Sequence, residues 1–150
     1  MPTACHRGAR LDRVDPEECR RRFVAAERAV LATTGADGHP HLVPVTFAVL
    51  DDVVVVTVDH KPKRTVDLRR LRNIRENPSV AFLVDHWSSD WSDLWWVRVD
   101  ATAVVADEPP TPAELTALQE RYPAYRELPP GRPVIRARVT RWTGWSAART

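Results

Sequence analysis

Residues 53–85 read VVVVTVDHKPKRTVDLRRLRNIRENPSVAFLVD and place a strongly basic segment between two apolar ones. The first six residues are nearly all valine, which predicts a strand over 53–58 that is buried on both of its faces. A second apolar run predicts another strand over 79–85. The basic segment between them has the periodicity of a helix, so the stretch predicts a strand, a helix and a strand in succession.

The predicted helix has a start, a core-facing side and an end. Thr65 is suited to cap its first turn. Leu68, Leu71 and Ile74 recur every three residues and form the core-facing side. Asn77-Pro78 ends the helix, because the residue before a proline avoids helical geometry.

The same periodicity predicts where the other side chains of this helix point. At 100° per residue, Arg70 and Arg72 flank the apolar side, whereas Arg69 and Asn73 point away from the core.

Charge is concentrated in this stretch. Residues 61–75 contain seven basic side chains and one acidic side chain, whereas the whole chain of 150 residues has a net charge of +2. Such clustering indicates a site for a polyanion, and a helix start adds backbone N–H donors. The alternative is a solvated helix face beside a charged loop, and the sequence leaves it open. The candidate contacts for a phosphate or carboxylate are Lys61, Lys63, Arg64, Thr65 and the arginines that flank them.

The remaining elements are predicted from turns and alternation. Asp15-Pro16 starts a helix that ends before Ala32, and a further helix covers 111–126. Strands are predicted over 30–34, 41–50, 53–58, 79–85, 94–106 and 134–146. Most of these six strands join through short turns, and no strand–helix–strand repeat runs through the chain. The order predicts a mainly β protein of the α+β class, a small antiparallel barrel with peripheral helices.

Composition restricts the class of protein. The chain is 43% hydrophobic and 28% charged, which is typical of one globular domain. Cys5 and Cys19 have no spacing that suits a metal site, so we expect reduced thiols in a cytoplasmic protein. The first residues lack the apolar segment of a secretory signal, and no apolar run is long enough for a membrane span.

No catalytic motif is present. Hydrolase, metalloprotease, P-loop and dinucleotide signatures are all missing, and the five histidines are scattered and interpreted as surface or turn residues. We therefore assign no catalytic residue and no metal. If the protein is an enzyme, a bound cofactor supplies the chemistry.

Six tryptophans are present, and four of them fall between positions 87 and 96. Alternation along the strand 94–106 places Trp96 on a polar face with Arg98 and Asp100, where its ring would border a planar ligand. Trp142 and Trp145 flank Gly144, and their pattern is equally consistent with packing and with a pocket wall. Nucleic acid is not expected as a partner, because no RNA- or DNA-binding motif appears and the net charge is small.

Four segments together carry a family resemblance: DHKPKRT at 59–65, LRRLRNI at 68–74, Asp90-Trp91 and LWWVR at 94–98. With the order of strands, they resemble the FMN-binding split-barrel superfamily, which includes pyridoxamine 5′-phosphate oxidases and coenzyme F420-dependent oxidoreductases. The match is nearest to the actinobacterial F420-dependent group and spans about residues 17–146 of the single domain.

The resemblance implies a six-stranded, Greek-key-like split β-barrel that forms a homodimer with two cofactors at the dimer interface. It implies that Arg70 binds the cofactor phosphate, that Arg72 and Asn73 form the basic-Asn pair that follows, and that Arg98 reaches the phosphate from the later strand. Relatives of the oxidase type often have Gln at the position of Trp96, which argues against pyridoxamine phosphate oxidation here.

The resemblance also implies an activity. FMN carries a single phosphate, whereas coenzyme F420 carries a phosphodiester and an oligoglutamate tail. The longer anion needs a longer cationic groove, which Lys61, Lys63 and Arg64 would provide. We therefore predict hydride transfer from reduced F420 to a small electrophilic substrate. Two alternatives stay open: an FMN-binding flavoprotein, whose groove would also suit a heme-like ring, and a carrier of F420 or flavin that catalyses nothing.

Overall fold

The computed structural model describes residues 13–58 and 68–148. These residues form eight strands, four α-helices and one 3₁₀ turn. In chain order they are β1 (Arg13–Val14), α1 (Pro16–Ala25), β2 (Ala29–Thr34), β3 (Pro40–Val45), β4 (Ala48–Leu50), β5 (Val53–Thr57), α2 (Arg69–Glu76), β6 (Ser79–His86), the 3₁₀ turn (Trp91–Asp93), β7 (Trp95–Ala106), α3 (Pro112–Arg121), α4 (Ala124–Glu127) and β8 (Val134–Ser146).

The strands form one antiparallel sheet in the order β3-β2-β6-β7-β8-β5-β4, with β1 paired to β8. The two end strands, β3 and β4, are consecutive in the chain and separated only by Thr46 and Phe47. Two residues span at most about 7 Å, so the sheet must curl until its ends lie side by side. No ladder joins those ends, and the barrel is therefore split, as the sequence predicts.

The number of strands was predicted wrongly. The segment 41–50 is two strands, with Thr46 and Phe47 between them. The ring of Phe47 is fully buried in the core, and the chain bends at this residue. The short strand β1 pairs with the end of β8 and has no alternation of its own that the sequence could reveal. The structure therefore has eight strands where six are predicted.

Alternation and burial otherwise agree with the prediction. Along β7, Val97, Val99 and Ala101 are buried, whereas Arg98 and Thr102 are exposed. All of Val54–Thr57 is buried, which confirms that this strand is covered on both faces. The inner side of the barrel is filled around Phe23 of α1, whose ring centroid lies 4.6 Å from that of Phe47 and 6.0 Å from that of Phe82.

The first and third helices are shorter than predicted. Asp15 caps α1 by accepting a hydrogen bond from the Glu18 backbone N–H at 3.0 Å, but the helix ends at Ala25 because β2 begins at Ala29. The segment 111–126 is divided into α3 and α4, since Pro123 cannot donate the backbone hydrogen bond that would continue α3.

The basic helix also begins later than predicted. Helix α2 starts at Arg69, and its N-cap residue is Leu68 in extended geometry. Thr65, the predicted cap, lies outside the described residues. Asn77 ends it, as predicted. Leu71 and Ile74 are buried in the main core, where α2 packs against β2 and β7.

Gly144 on β8 provides a test of this packing. A Cβ atom there would lie 2.7 Å from Sγ of Cys19 and 3.2 Å from Cβ of Val14. We expect Gly144→Ala to lower the free energy of unfolding by about 1–3 kcal/mol, because the inner face has no room for a methyl group. In the double variant with Cys19→Ala, we expect the loss of unfolding free energy to be at least about 0.5 kcal/mol smaller than the sum of the two single losses. The reason is that the sulfur of Cys19 is the nearest atom to the added methyl group. Urea denaturation measures both.

Gly38→Ala is the matched control for this double-mutant cycle. Gly38 has a φ of +73° and no atom within 4 Å of its added Cβ, so only backbone strain should be felt. Its effect should add to that of Cys19→Ala without coupling. Strict additivity of Gly144→Ala with Cys19→Ala would contradict the packing described here.

Candidate functional site

Helix α2 is attached to one end of the barrel through buried polar contacts. The Asn73 amide donates to the hydroxyl of Thr33 on β2 at 3.0 Å, and both side chains are buried. Glu76 accepts from the backbone N–H of Ala36 at 2.7 Å. Gly35 makes this approach possible, since a Cβ there would lie 2.7 Å from Oδ1 of Asn73. The prediction that Asn73 points away from the core was wrong, because the turn after β2 covers that side of the helix.

The first turn of α2 carries the basic residues that the structure describes at this end. Arg69 is half-buried and forms an ion pair with Asp37 of the β2–β3 turn at 3.0 Å. The His39 backbone N–H holds the pKa of Asp37 below its usual value, and Arg69 adds to this effect. Arg70 is also half-buried, whereas Arg72 is exposed.

His41 joins this cluster, although the sequence indicated only a surface or turn role. It lies on β3 opposite Thr33, and alternation places it on the same face as the buried Val45. Burial lowers the pKa of His41, and the charges of Arg70 and Arg69 lower it further. We call Arg69, Arg70, His41 and Asn73 the barrel-end cluster. The only sequence signal for His41 was its position in that alternation.

The predicted loop contacts cannot be placed with respect to this cluster. Lys61, Lys63, Arg64 and Thr65 lie outside the described residues.

Trp96 and Arg98 lie elsewhere, on the outer face of the sheet. The Arg98 guanidinium carbon is 5.9 Å from the centre of the Trp96 ring, and its Nε is 3.7 Å from a carboxylate oxygen of Asp100. Both residues line an open cavity of about 500 Å³. The other lining residues, which are mostly apolar, are Val30, Ala32, Leu42, Ala81, Phe82, Leu83 and Asp85.

The barrel-end cluster and the outer face lie on opposite sides of the sheet. Leu42, which lines the cavity, follows His41 directly on β3, so alternation places the two side chains on opposite faces. Ala32, which also lines the cavity, is likewise the neighbour of Thr33 on β2. A ligand that contacts both groups on one subunit must therefore reach around the edge of the sheet.

The two C-terminal tryptophans lie on opposite faces of β8. Trp145 pairs with Trp96 and so belongs to the outer face. Trp142 pairs with Val99, packs against the core and meets the Phe23 ring edge-on at 5.7 Å. The structure thus does not bring Trp142 together with Trp96 and Arg98, and its contacts are those of the packing role.

The described residues offer no obvious acid, base or nucleophile. No three histidine, cysteine or carboxylate side chains come together as a metal site within 13–58 and 68–148. Cys19 is fully buried, and burial raises the pKa of its thiol, which opposes thiolate formation. Among the same residues, no helix is long and apolar enough to cross a membrane.

Three proteins of known structure share this fold at low sequence identity. A conserved hypothetical protein of Mycobacterium tuberculosis is 24% identical, with a TM-score of 0.69 over 95% of this chain and 91% of that one. The heme storage protein HutZ of Vibrio cholerae is 17% identical, with a TM-score of 0.64 over 89% and 96% of the two chains. An FAD-binding protein of Mycobacterium smegmatis is 19% identical, with a TM-score of 0.56 over 88% and 96%.

A shorter match relates the chain to a characterised enzyme. A segment of 55 residues is 42% identical to a 5a,11a-dehydrotetracycline/5a,11a-dehydrooxytetracycline reductase of Streptomyces rimosus and covers 37% of each protein. The match thus spans little more than a third of that reductase.

The family model for pyridoxamine 5′-phosphate oxidase matches residues 16–146, from the first residue of α1 to the last residue of β8. That span includes every described element except β1. It therefore includes both the barrel-end cluster and the outer face. The name of the family is that of an oxidoreductase. The chain therefore belongs to the pyridoxamine 5′-phosphate oxidase family.

Proposed function

We propose that this protein binds coenzyme F420 and transfers a hydride from its reduced form to a small electrophilic molecule. The observation that supports the proposal is that one subunit presents both a cationic helix start and an aromatic, apolar face. A cofactor with a phosphate at one position and a planar ring at another matches that arrangement. When bound, the deazaflavin supplies the hydride, and the protein positions it.

The residues present fit such a cofactor. Arg70 would hold the phosphodiester, because it lies half-buried in the first turn of α2, where a guanidinium can form charge-assisted hydrogen bonds to a phosphate. Lys61, Lys63 and Arg64 would contact the oligoglutamate tail, which FMN lacks. Trp96 would border the planar ring, and Arg98, whose side chain is about half exposed, would approach it from the same face.

A flavin is the main alternative. An FAD-binding protein of Mycobacterium smegmatis has the same fold, and the barrel-end cluster would equally hold the single phosphate of FMN. The protein would then be yellow as purified. A heme-like ring is a related possibility, since HutZ is named as a heme storage protein. A carrier without catalysis is also consistent with the lack of an acid or base in the described part of the chain.

Titration with F420 and FMN side by side tests the choice of cofactor. We expect quenching of F420 fluorescence on binding and a dissociation constant at least about tenfold lower than that for FMN, because the tail adds charged contacts. Tighter binding of FMN would replace the proposal with the flavoprotein alternative. Binding of neither cofactor would overturn both.

Arg70 should be the main phosphate contact. We expect Arg70→Gln to weaken F420 binding at least about tenfold, since a hydrogen bond to a charged group contributes ~1.5–3 kcal/mol. Arg75→Gln is the matched control, because it removes the same charge from the exposed last turn of α2. Its effect should stay within about twofold. Equal losses in the two variants would show general electrostatic attraction and no specific contact at Arg70.

Turnover separates an enzyme from a carrier. Reduced F420 should be reoxidised when an α,β-unsaturated ketone is added, a substrate class chosen because the partial relative is named as a dehydrotetracycline reductase. The measurement is the return of the oxidised deazaflavin absorbance over a control without protein. Binding without reoxidation by any member of a panel of electrophiles would favour the carrier.

We further propose that the cavity face binds a second copy of this chain. Leu42 is 64% exposed and Leu83 is 41% exposed, although both lie in the middle of an apolar face. Contiguous apolar surface of this kind marks an interaction site. Arg98 and Asp85 also line the cavity, so this face carries charged groups of both signs that could pair across a two-fold interface.

A charge placed in this face should prevent dimer formation. We expect Leu42→Glu to convert a dimer into a monomer in light scattering, because its carboxylate would be buried opposite the uncharged Ala32. Leu128→Glu is the control, since Leu128 is 58% exposed just after α4 and away from this face. If the wild-type protein is a monomer at micromolar concentration, the dimer proposal is wrong.

A further inference from the structure

His41 occupies an unusual position for a histidine. Its strand pairs with β2 so that His41 faces Thr33, whose hydroxyl already accepts from Asn73 of α2. The ion pair of Arg69 with Asp37 holds the first turn of the helix against the β2–β3 turn. These contacts bring β3 beneath the basic end of α2. Within the described residues, the Nδ1 atom of His41 is buried and has no hydrogen-bond partner.

The charges around His41 are mostly positive. Helix α2 contributes Arg69 and Arg70, and the β2–β3 turn contributes His39 and Asp37. Strand β2 contributes only the uncharged Thr33. Asp37 is bonded to Arg69, and the charges of both Arg70 and Arg69 act on His41. A proton on His41 would add a further positive charge to a partly buried group of cations.

We propose that His41 is the proton-linked member of the anion site, so that binding of the cofactor phosphate at Arg69 and Arg70 is coupled to uptake of a proton by His41. This rests on the proposed function, since it assigns a role within the same site. His41 acts here as a positioning residue, because it tunes the charge of the site through its neighbours. No bond to the cofactor is required of it.

The sign of the effect follows from the electrostatics. Burial, Arg70 and Arg69 lower the pKa of His41 in the free protein, so it is neutral at pH 7. A bound phosphate offsets the arginines and raises that pKa again. The complex therefore holds more protons than the free protein. Affinity should rise as the pH falls through the interval between the two pKa values, by at most about tenfold per pH unit.

The experiment measures F420 and FMN affinity between about pH 8 and about pH 5.5, the range in which a histidine titrates. For the wild-type protein we expect a three- to tenfold gain in affinity toward low pH beyond that of His41→Gln. His86→Gln is the matched control and should keep the wild-type profile, because His86 is exposed at the last position of β6 and is not among the charges that act on His41. His6→Gln and His60→Gln control for the two histidines that lie outside the described residues.

Calorimetry of the wild-type protein provides a readout that needs no variant. Titrations at about pH 6.5 in two buffers of different ionisation enthalpy should show uptake of a fraction of a proton per site. The phosphodiester of F420 does not titrate here, and FMN's own phosphate titration is common to wild type and His41→Gln.

The outcomes are distinct. If neither cofactor binds at any pH, both the proposed function and this inference are overturned. If a cofactor binds but wild type and His41→Gln have parallel pH profiles, or no proton is taken up, His41 is not linked to the site and the proposed function stands.

Discussion

The connection between the two end strands is the constraint on which the rest of the structure depends. Thr46 and Phe47 alone join β3 to β4, and the α3–α4 unit holds both of them. The Thr46 hydroxyl lies 2.6 Å from that of Tyr125, and the Phe47 backbone N–H donates to the Tyr122 hydroxyl at 3.1 Å. Arg121 stacks over the Phe47 ring at 4.6 Å. With this corner fixed, the sheet must curl, and an inner and an outer face exist.

The two candidate binding regions follow from that curl. The inner face is filled by α1 and by the apolar side of α2, so the polar side of α2 is left at the open end of the barrel. Within the part of the chain that the structure describes, no helix covers the outer face of β2, β3, β6 and β7, because α3 and α4 cover Ala48 on the other side of the split. The side of the barrel near β4 is therefore covered by α3 and α4. The other side presents apolar residues beside Trp96 and Arg98.

Much of this arrangement could be predicted from the sequence, for identifiable reasons. Alternation in β7 placed Arg98 and Trp96 on the exposed face, and the Asn77-Pro78 stop gave the end of α2. Those signals are local, since each depends on a few neighbouring residues. The inference of F420 stays a proposal, because the three loop residues that favoured it, Lys61, Lys63 and Arg64, lie outside the described part of the chain.

Two of the wrong predictions have a common cause in contacts that are distant in sequence. Asn73 is buried because it bonds to Thr33, forty residues earlier. The break of 41–50 into two strands depends on Phe47 meeting Phe23. Periodicity within one segment contains no information about such partners.

The barrel-end cluster places like charges close together. Arg70 lies beside Arg69 in partly buried surroundings, where like charges repel more strongly than in water. Asp37 opposes the charge of Arg69 directly through its ion pair. The polar anchors Asn73 and Glu76 hold α2 in place. Under the proposed function, an anion bound at this end would relieve the repulsion between the arginines, so unfavourable charge in the free protein would supply part of the binding free energy.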